Sequence, residues 1–279
     1  MPDSTATIKV VFDPMNYPGS FARKITIVTA DGALKEPLLI TGMVTPRKKS
    51  IEEEYPIIMG EGVRVAANAH SFGYLEHGKM KQSTFEIYNG AEKSVTLAVE
   101  NPYSELEFYL LERLKAGEKT AINFTCLLPE DSDKYGSLAY EVSLLVNGEK
   151  ALYPFIINGL AIDSRGENAN NRSQMIALSE NFIKFGAVKC AHATHMRKLE
   201  VANNGKEPLV IRKIELGGEG FTARLEGGNT IAPGEKRAMV IGLNPMQLPF
   251  GAVVEKLRLV SNDPKMPVMT IRVSAIVER

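Results

Sequence analysis

Apolar positions recur every second residue in three stretches of the chain that share one layout. They are Ile25 and Ile27 in "KITIVTAD" (24–31), Val142 and Leu144 in "EVSLLVNG" (141–148), and Leu257 and Leu259 in "KLRLVSND" (256–263). Period two sends alternate side chains to opposite faces, so each stretch predicts a strand with one buried face. A glycine stands four or five residues ahead of each, at Gly19, Gly136 and Gly251. Each strand runs into a turn signal (Asp31-Gly32, Asn147-Gly148, Asn262-Asp263-Pro264) and then a closing strand. Asn147-Gly148 is the strongest of these, because both residues tolerate the positive φ of a tight hairpin.

The earlier part of this plan occurs twice, not three times. Phe72-Gly73 parallels Phe185-Gly186, "FEIYNG" (85–90) parallels "LEVANNG" (199–205), and "AGEKTAI" (116–122) parallels the segment from Pro233 to Met239. The Phe-Gly pair precedes Gly-Glu by 44 residues in one copy and 48 in the other, and the later glycine follows by 19 and 17. The same spacing applied to Gly19 places a matching Gly-Glu at the very start of the chain and a Phe-Gly about 45 residues before it. The expectation is a first copy that lacks its front strands. Either the chain is a fragment or those strands come from elsewhere.

Two polar segments separate the copies. "TPRKKSIEEEYP" (45–56) reads as a charged linker, and "DSRGENANNRS" (163–173) has no apolar periodicity. The best helix candidate, "SELEFYLLERL" (104–114), fits a strand about as well. Short strands at regular spacing argue for antiparallel sandwiches of about 100 residues each. The divisions expected are 1–46, the closing half of an incomplete domain; 47–162; the linker 163–173; and 174–279. Alternation places Phe85, Ile87, Leu199, Val201, Leu257 and Leu259 inward. Residues 8–45 are expected to form a strand–turn–strand–turn–strand remnant. Its open apolar side would either dock on the second copy or drive self-association.

Composition narrows the function classes. Lys plus Arg and Asp plus Glu both number 33, so the formal net charge is zero and no basic patch marks a nucleic-acid footprint. Arg47-Lys48-Lys49 is followed at once by Glu52-Glu53-Glu54 and reads as a solvated segment. No apolar run approaches the ~18 residues of a membrane-spanning helix. "MPDSTATIKV" has no basic start, apolar core or cleavage site of a signal peptide. Cys126 lies in the apolar run "INFTCLL" and reads as a buried strand residue, and Cys190 falls in another copy, so no disulfide is expected between them.

"VANNGKEPLVIRKIE" (201–215), "APGEKRAMVIGLNP" (232–245) and "FGAVVEKLRLVSNDPKMPVMTIRVSAIV" (250–277), with a partial copy at 10–44, resemble a bacterial family of immunoglobulin-like domains of unknown function. That family is related to the ASH, HYDIN and major-sperm-protein group. The resemblance is clearest over 172–279 and 8–45 and fainter over 55–162. It rests on N-x-G-x-x-P-L, then P-G-E, then S-N-D. It implies an all-β fold of tandem immunoglobulin-like β-sandwiches, the first of them incomplete. It also implies no catalysis, no cofactor and a protein partner, with a place in the periplasm, the cell envelope or outside the cell. Where family members often carry a short cysteine-containing segment, this chain reads "LGGEGFT" (216–222), so a redox or metal role attached to that segment has no ligands here.

The residues offer few alternatives. "CAHATH" groups Cys190, His192 and His195, which could hold zinc only with a turn between them and a fourth donor such as Glu200. It reads more simply as a strand-edge turn. His70 and His77 flank Phe72-Gly73-Tyr74 without a nearby nucleophile and orienting group for a triad. Glu130, Asp131 and Asp133 sit in the loop-forming "PEDSDKYG", where carboxylates are solvated. Neither "ELGGEGF" nor "LEGGN" is a strand–GxGxxG–helix phosphate loop. Tyr103, Phe108 and Tyr109 could stack on a sugar, which makes a carbohydrate-binding accessory protein the alternative function. No residue is assigned a catalytic, cofactor-binding or metal-binding role.

Overall fold

The structure is a computed structural model that describes residues 7–14, 18–28, 32, 37–166, 173–191 and 193–279. Two compact units divide the chain, residues 1–54 and 55–279.

In the first unit, Gly19–Ile25 pairs antiparallel with Leu38–Val44, Gly19 opposite Val44 and Ile25 opposite Leu38. The opening strand starts at Gly19 itself, ahead of the alternating stretch, and Ile27 lies beyond its end. Asp31 of the expected turn is outside the described residues. The expected third strand near Val10 and Phe12 does not form: residues 7–14 carry no regular structure. A strand needs a neighbour to take its backbone hydrogen bonds. Phe12 instead stacks on Phe21, ring centroids 4.1 Å apart. The charged segment also holds more order than a plain linker. Ile51–Glu54 is one helical turn closed by a capping box, in which Ser50 N–H donates to the Glu53 carboxylate at 2.9 Å and Glu53 N–H donates to Ser50 Oγ at 3.4 Å.

The second unit contains two β-sandwiches of the same plan. In the earlier one, a sheet of Ile57–Gly60, Val63–Val65, Lys81–Asn89, Lys119–Cys126 and Leu106–Tyr109, in that spatial order, faces a second sheet. That second sheet runs Ala69–Glu76, Phe155–Ile162, Gly136–Val146, Val95–Glu100 and Arg113–Leu114. Leu106–Tyr109 and Arg113–Leu114 resolve the ambiguous segment 104–114 as strand. In the later sandwich, Ile176–Leu178, His195–Asn203, Lys236–Leu243 and Phe221–Leu225 face Phe182–Lys189, Val268–Glu278, Gly251–Ser261, Leu209–Leu216 and Thr230–Ile231.

Each sandwich has its own apolar core between its sheets. Phe85, Ile87, Leu199, Val201, Leu257 and Leu259 are all buried there, as the alternation requires. Cys126 is also buried, and burial pushes its thiol up to about 11, which leaves it inert as a nucleophile.

In each sandwich the first strand of the second sheet pairs parallel with the last strand, Ala69–Glu76 with Phe155–Ile162 and Phe182–Lys189 with Val268–Glu278. Both pairings slip by one residue at the Phe-Gly pair. Gly73 (φ 65°) and Gly186 (φ 78°) adopt left-handed backbone there, which a glycine enters without the Cβ clash. The repeated Phe-Gly is therefore a bulge.

Candidate functional site

A cleft of about 700 Å³ lies where the two sandwiches of the second unit meet. Ser137 enters it from the earlier sandwich, and Lys213, Glu215, Glu255 and Arg258 come from the later one. Ser137 is the second residue of its long strand and follows Gly136, whose missing side chain leaves room for the Glu215 carboxylate. Glu215 accepts hydrogen bonds from Ser137 N–H at 2.8 Å and Ser137 Oγ at 3.0 Å, and pairs with Lys213 at 3.1 Å. The Arg258 guanidinium donates to Ser137 Oγ at 2.8 Å. Burial alone would raise the Glu215 carboxyl. The Ser137 and Lys213 bonds outweigh it and hold the group below its ordinary range.

A second polar cluster ties the start of the linker to both sandwiches. Asp163 accepts two bonds from the Arg212 guanidinium, at 2.9 and 3.0 Å, and a third from Tyr135 Oη at 3.0 Å. Arg212 also lies over the Tyr135 ring, 5.2 Å from its centroid. Two residues on, Arg165 turns back to the buried Glu76, donating to its carboxylate at 2.6 and 3.0 Å, with Lys79 at 2.7 Å on the other oxygen. Residues 163–166 have no regular secondary structure, but these ion pairs fix their ends. Glu215, Arg258, Asp163, Arg212, Glu76 and Arg165 are thus each bonded to another protein group.

The residues singled out from sequence do not converge. Cys190 follows Phe182–Lys189, and its Sγ lies 3.5 Å from Met246 Sδ. His192 lies outside the described residues. His195 begins the strand that carries Glu200 five residues on, about 16 Å away at strand rise, so the two cannot share one ion. Glu200 is paired with Lys236 at 2.9 Å. Among the described residues no group of three His, Cys, Asp or Glu side chains is placed to hold a metal.

His70 does have a serine beside it, contrary to the expectation: Ser83 Oγ is 3.2 Å from His70 Nδ1. The imidazole is otherwise flanked by the Phe72 and Phe124 rings, and burial lowers its pKa, so it is a packed, neutral group. His77 is buried, with Nε2 2.9 Å from the Lys134 carbonyl. Glu130, Asp131 and Asp133 are exposed in their loop. The three aromatics separate. Tyr103 packs edge-on against Tyr140, Phe108 stacks on Phe124, and only Tyr109 is exposed, at 55%.

The contacts that matter most, Ser137–Glu215 and Asp163–Arg212, join residues far apart in sequence. Their only trace was the run Arg212, Lys213 and Glu215, which puts charge into an otherwise apolar strand.

Comparison with known proteins supports the fold. Residues 174–275 match the family model described as HYDIN/CFA65/VesB-like, Ig-like domain. A protein of unknown function from Porphyromonas gingivalis is similar in structure, with 20% identity over 77% of this chain and 99% of its own and a TM-score of 0.56. More distant are the ASH/PapD-like domain of human CEP192 and the CupB2 chaperone of Pseudomonas aeruginosa. The first shows 14% identity over 44% of this chain and 95% of its own, with a TM-score of 0.32. The second shows 9% over 75% and 98%, with a TM-score of 0.27. No curated protein matches the chain.

Proposed function

We propose that this chain, in which residues 174–275 are a HYDIN/CFA65/VesB-like immunoglobulin-like domain, is a non-catalytic structural or protein-interaction module of the bacterial cell envelope. The domains proposed are those read from the repeats: the closing half of an incomplete immunoglobulin-like domain at 1–46, domains at 47–162 and 174–279, and the linker 163–173. One observation carries the reading. The polar groups of the cleft, Ser137, Glu215 and Arg258, bond to one another across the junction of two sandwiches. Such groups set the mutual orientation of two binding surfaces rather than attack a substrate. No helix among the described residues is long and apolar enough to cross a membrane. The envelope location rests on the family resemblance.

Proximity labelling in the native host, with the full chain carrying the labelling enzyme, tests this. The expected result is a small, reproducible set of envelope proteins, each confirmed by direct binding to the purified chain. Saturable binding on a glycan array with no protein partner would favour the carbohydrate-binding alternative instead. The dispersed Tyr103, Phe108 and Tyr109 give that alternative no platform.

A further inference from the structure

The two sandwiches of the second unit share the plan of their second sheet, so positions on its outer face correspond between copies. In the later sandwich Lys256 stands opposite Arg272, where Glu141 stands opposite Ile156 in the earlier one. On the parallel strand, Phe182 lies beside Arg272 and Lys184 beside Ser274, where Ala69 lies beside Ile156 and Ser71 beside Asn158. Arg258, beside Glu215, takes the place of Ser143, beside Glu100. Lys184, Lys256 and Arg272 are exposed while their neighbours Ile183, Leu257 and Ile271 are buried, so these cations point away from the core. At equivalent places one copy carries Phe, Lys, Arg, Lys and Arg, and the other Ala, Ser, Ile, Glu and Ser. The fold does not require the cations.

They also work against it. Like charges directly opposite in an antiparallel pair are destabilising, and Lys256 and Arg272 form such a pair. Glu215 pairs with Lys213 and Arg258, at 3.1 and 3.8 Å, but among the described residues no ion pair holds Lys184, Lys256 or Arg272. Lys184 Nζ and Arg272 Cζ lie over the half-buried Phe182 ring, 4.9 and 5.9 Å from its centroid, which orders both side chains. Val254 and Ile276 are exposed on the same face. The row continues past the sheet's centre, because Val254, Lys256 and Arg258 also line the cleft at the junction with the earlier sandwich.

We propose that this face, Lys184, Arg272, Lys256 and Val254 leading into the cleft, docks an acidic segment of a partner protein. Charge complementarity names the occupant. Carboxylates set between Lys256 and Arg272 turn their repulsion into ion pairs, and apolar side chains of the same segment cover Val254 and Ile276. A protein segment offers that mixture of acid and aliphatic surface. Bases or sugar rings would stack on an open aromatic face, and Phe182 is half-buried beneath two cations. The proposal rests on the interaction-module reading and names the surface it uses.

The earlier sandwich provides the substitutions that test it. Lys184→Ser, Lys256→Glu and Arg272→Ile, made together in the full chain, install residues that the same fold already carries at those places. A control variant, Lys81→Ser, Lys115→Glu and Lys206→Ile, makes the same change in charge at exposed sites elsewhere. Binding is read by fluorescence anisotropy with labelled poly-L-glutamate as the acidic polypeptide. The expected result is saturable, salt-sensitive binding that the face variant weakens at least about tenfold and the control leaves at the parent value. Lys256→Gln alone, which keeps the length of the side chain, should weaken it about threefold. Absent binding of poly-L-glutamate, equal loss in the control, or tighter binding of polygalacturonate, an oligothymidylate or phosphatidylglycerol vesicles would overturn it. Partners confirmed from proximity labelling that bind the face variant as tightly as the parent would remove this face and leave the interaction-module reading standing.

Discussion

Gly234 donates its backbone N–H to the carbonyl of Asn203 at 2.9 Å, while the Asn203 N–H donates to the Glu235 carbonyl at 3.0 Å. The Asn203 side chain completes the junction. Its amide nitrogen donates to the carbonyls of Glu207 and Ile231, and its oxygen accepts from Gly205 N–H. Gly117 and Asn89 repeat this in the earlier sandwich, with Gly117 N–H to Asn89 O at 2.7 Å and the Asn89 amide on Lys93 and Leu114. The N-x-G and P-G-E motifs thus meet in space to satisfy the backbone at one end of the later sandwich, as Asn89-Gly90 and Ala116-Gly117-Glu118 do in the earlier one. They mark the fold and say nothing of a ligand.

Replacing Asn203 by Ala should therefore cost on the order of 2–4 kcal/mol, because buried backbone groups lose their partners. The adjacent, exposed Asn204→Ala should cost no more than about 0.5 kcal/mol. Urea unfolding of both variants checks this. A small effect at Asn203 would show that water or a shifted backbone replaces its amide.

Leu257→Ala removes a fully buried side chain from the later core and should destabilise that sandwich by about 2–5 kcal/mol. A loss below about 1 kcal/mol would mean that the site collapses onto the gap. Legibility was greatest here. Leu257, Leu259, Phe85 and Ile87 could be read inward because a one-residue slip would turn every one of them to solvent. The opening strands were placed too late, since Gly19, Gly136 and Gly251 start the strands themselves at a positive φ that no hydrophobic pattern reports. The parallel of FEIYNG with LEVANNG brings Asn89 onto Asn203, whose side chains make the same bonds. The junction residues Ser137, Glu215, Asp163 and Arg212 were illegible for a different reason. Each looks like an ordinary exposed polar residue on its own strand or linker, and only the docking of two domains brings them together.

Elemental analysis of the purified chain should find no stoichiometric zinc, and Cys190→Ser should leave the metal content unchanged. Cys190 has a thioether neighbour in Met246, and Glu200 is bound to Lys236 well along the strand from His195. Stoichiometric zinc lost with the Cys190 thiol would require Cys190, His192 and His195 to close around an ion.

Acid should loosen the anchor of the linker. Burial by itself would raise the Glu76 carboxyl, but the Arg165 and Lys79 bonds outweigh it and hold it at about 2, against 4.5 for a free glutamate. The unfolded chain therefore binds this proton more tightly than the folded one. The stabilisation is complete above about pH 4.5 and is lost as pH falls towards 2. Glu76→Gln should flatten that part of the stability–pH curve relative to the parent protein. Parallel curves would show that the decline belongs to other carboxylates.

The junction itself can be probed with a matched pair of glycines. Gly136 and Gly251 open equivalent strands with φ of 80° and 99°, so Gly→Ala at either forces an L-residue into left-handed backbone, a shared cost of about 1 kcal/mol. Their surroundings differ. A Cβ on Gly136 would overlap the Glu215 carboxylate and the Lys213 stem, whereas one on Gly251 meets nothing. Gly136→Ala should therefore displace Glu215, expose the Ser137 amide to faster hydrogen exchange and open the Arg165 bond to trypsin. Gly251→Ala should leave both readouts at parent values. If the two variants exchange and cleave alike, the Ser137–Glu215 contact does not hold the sandwiches together, and the Asp163–Arg212 pair must carry the junction alone.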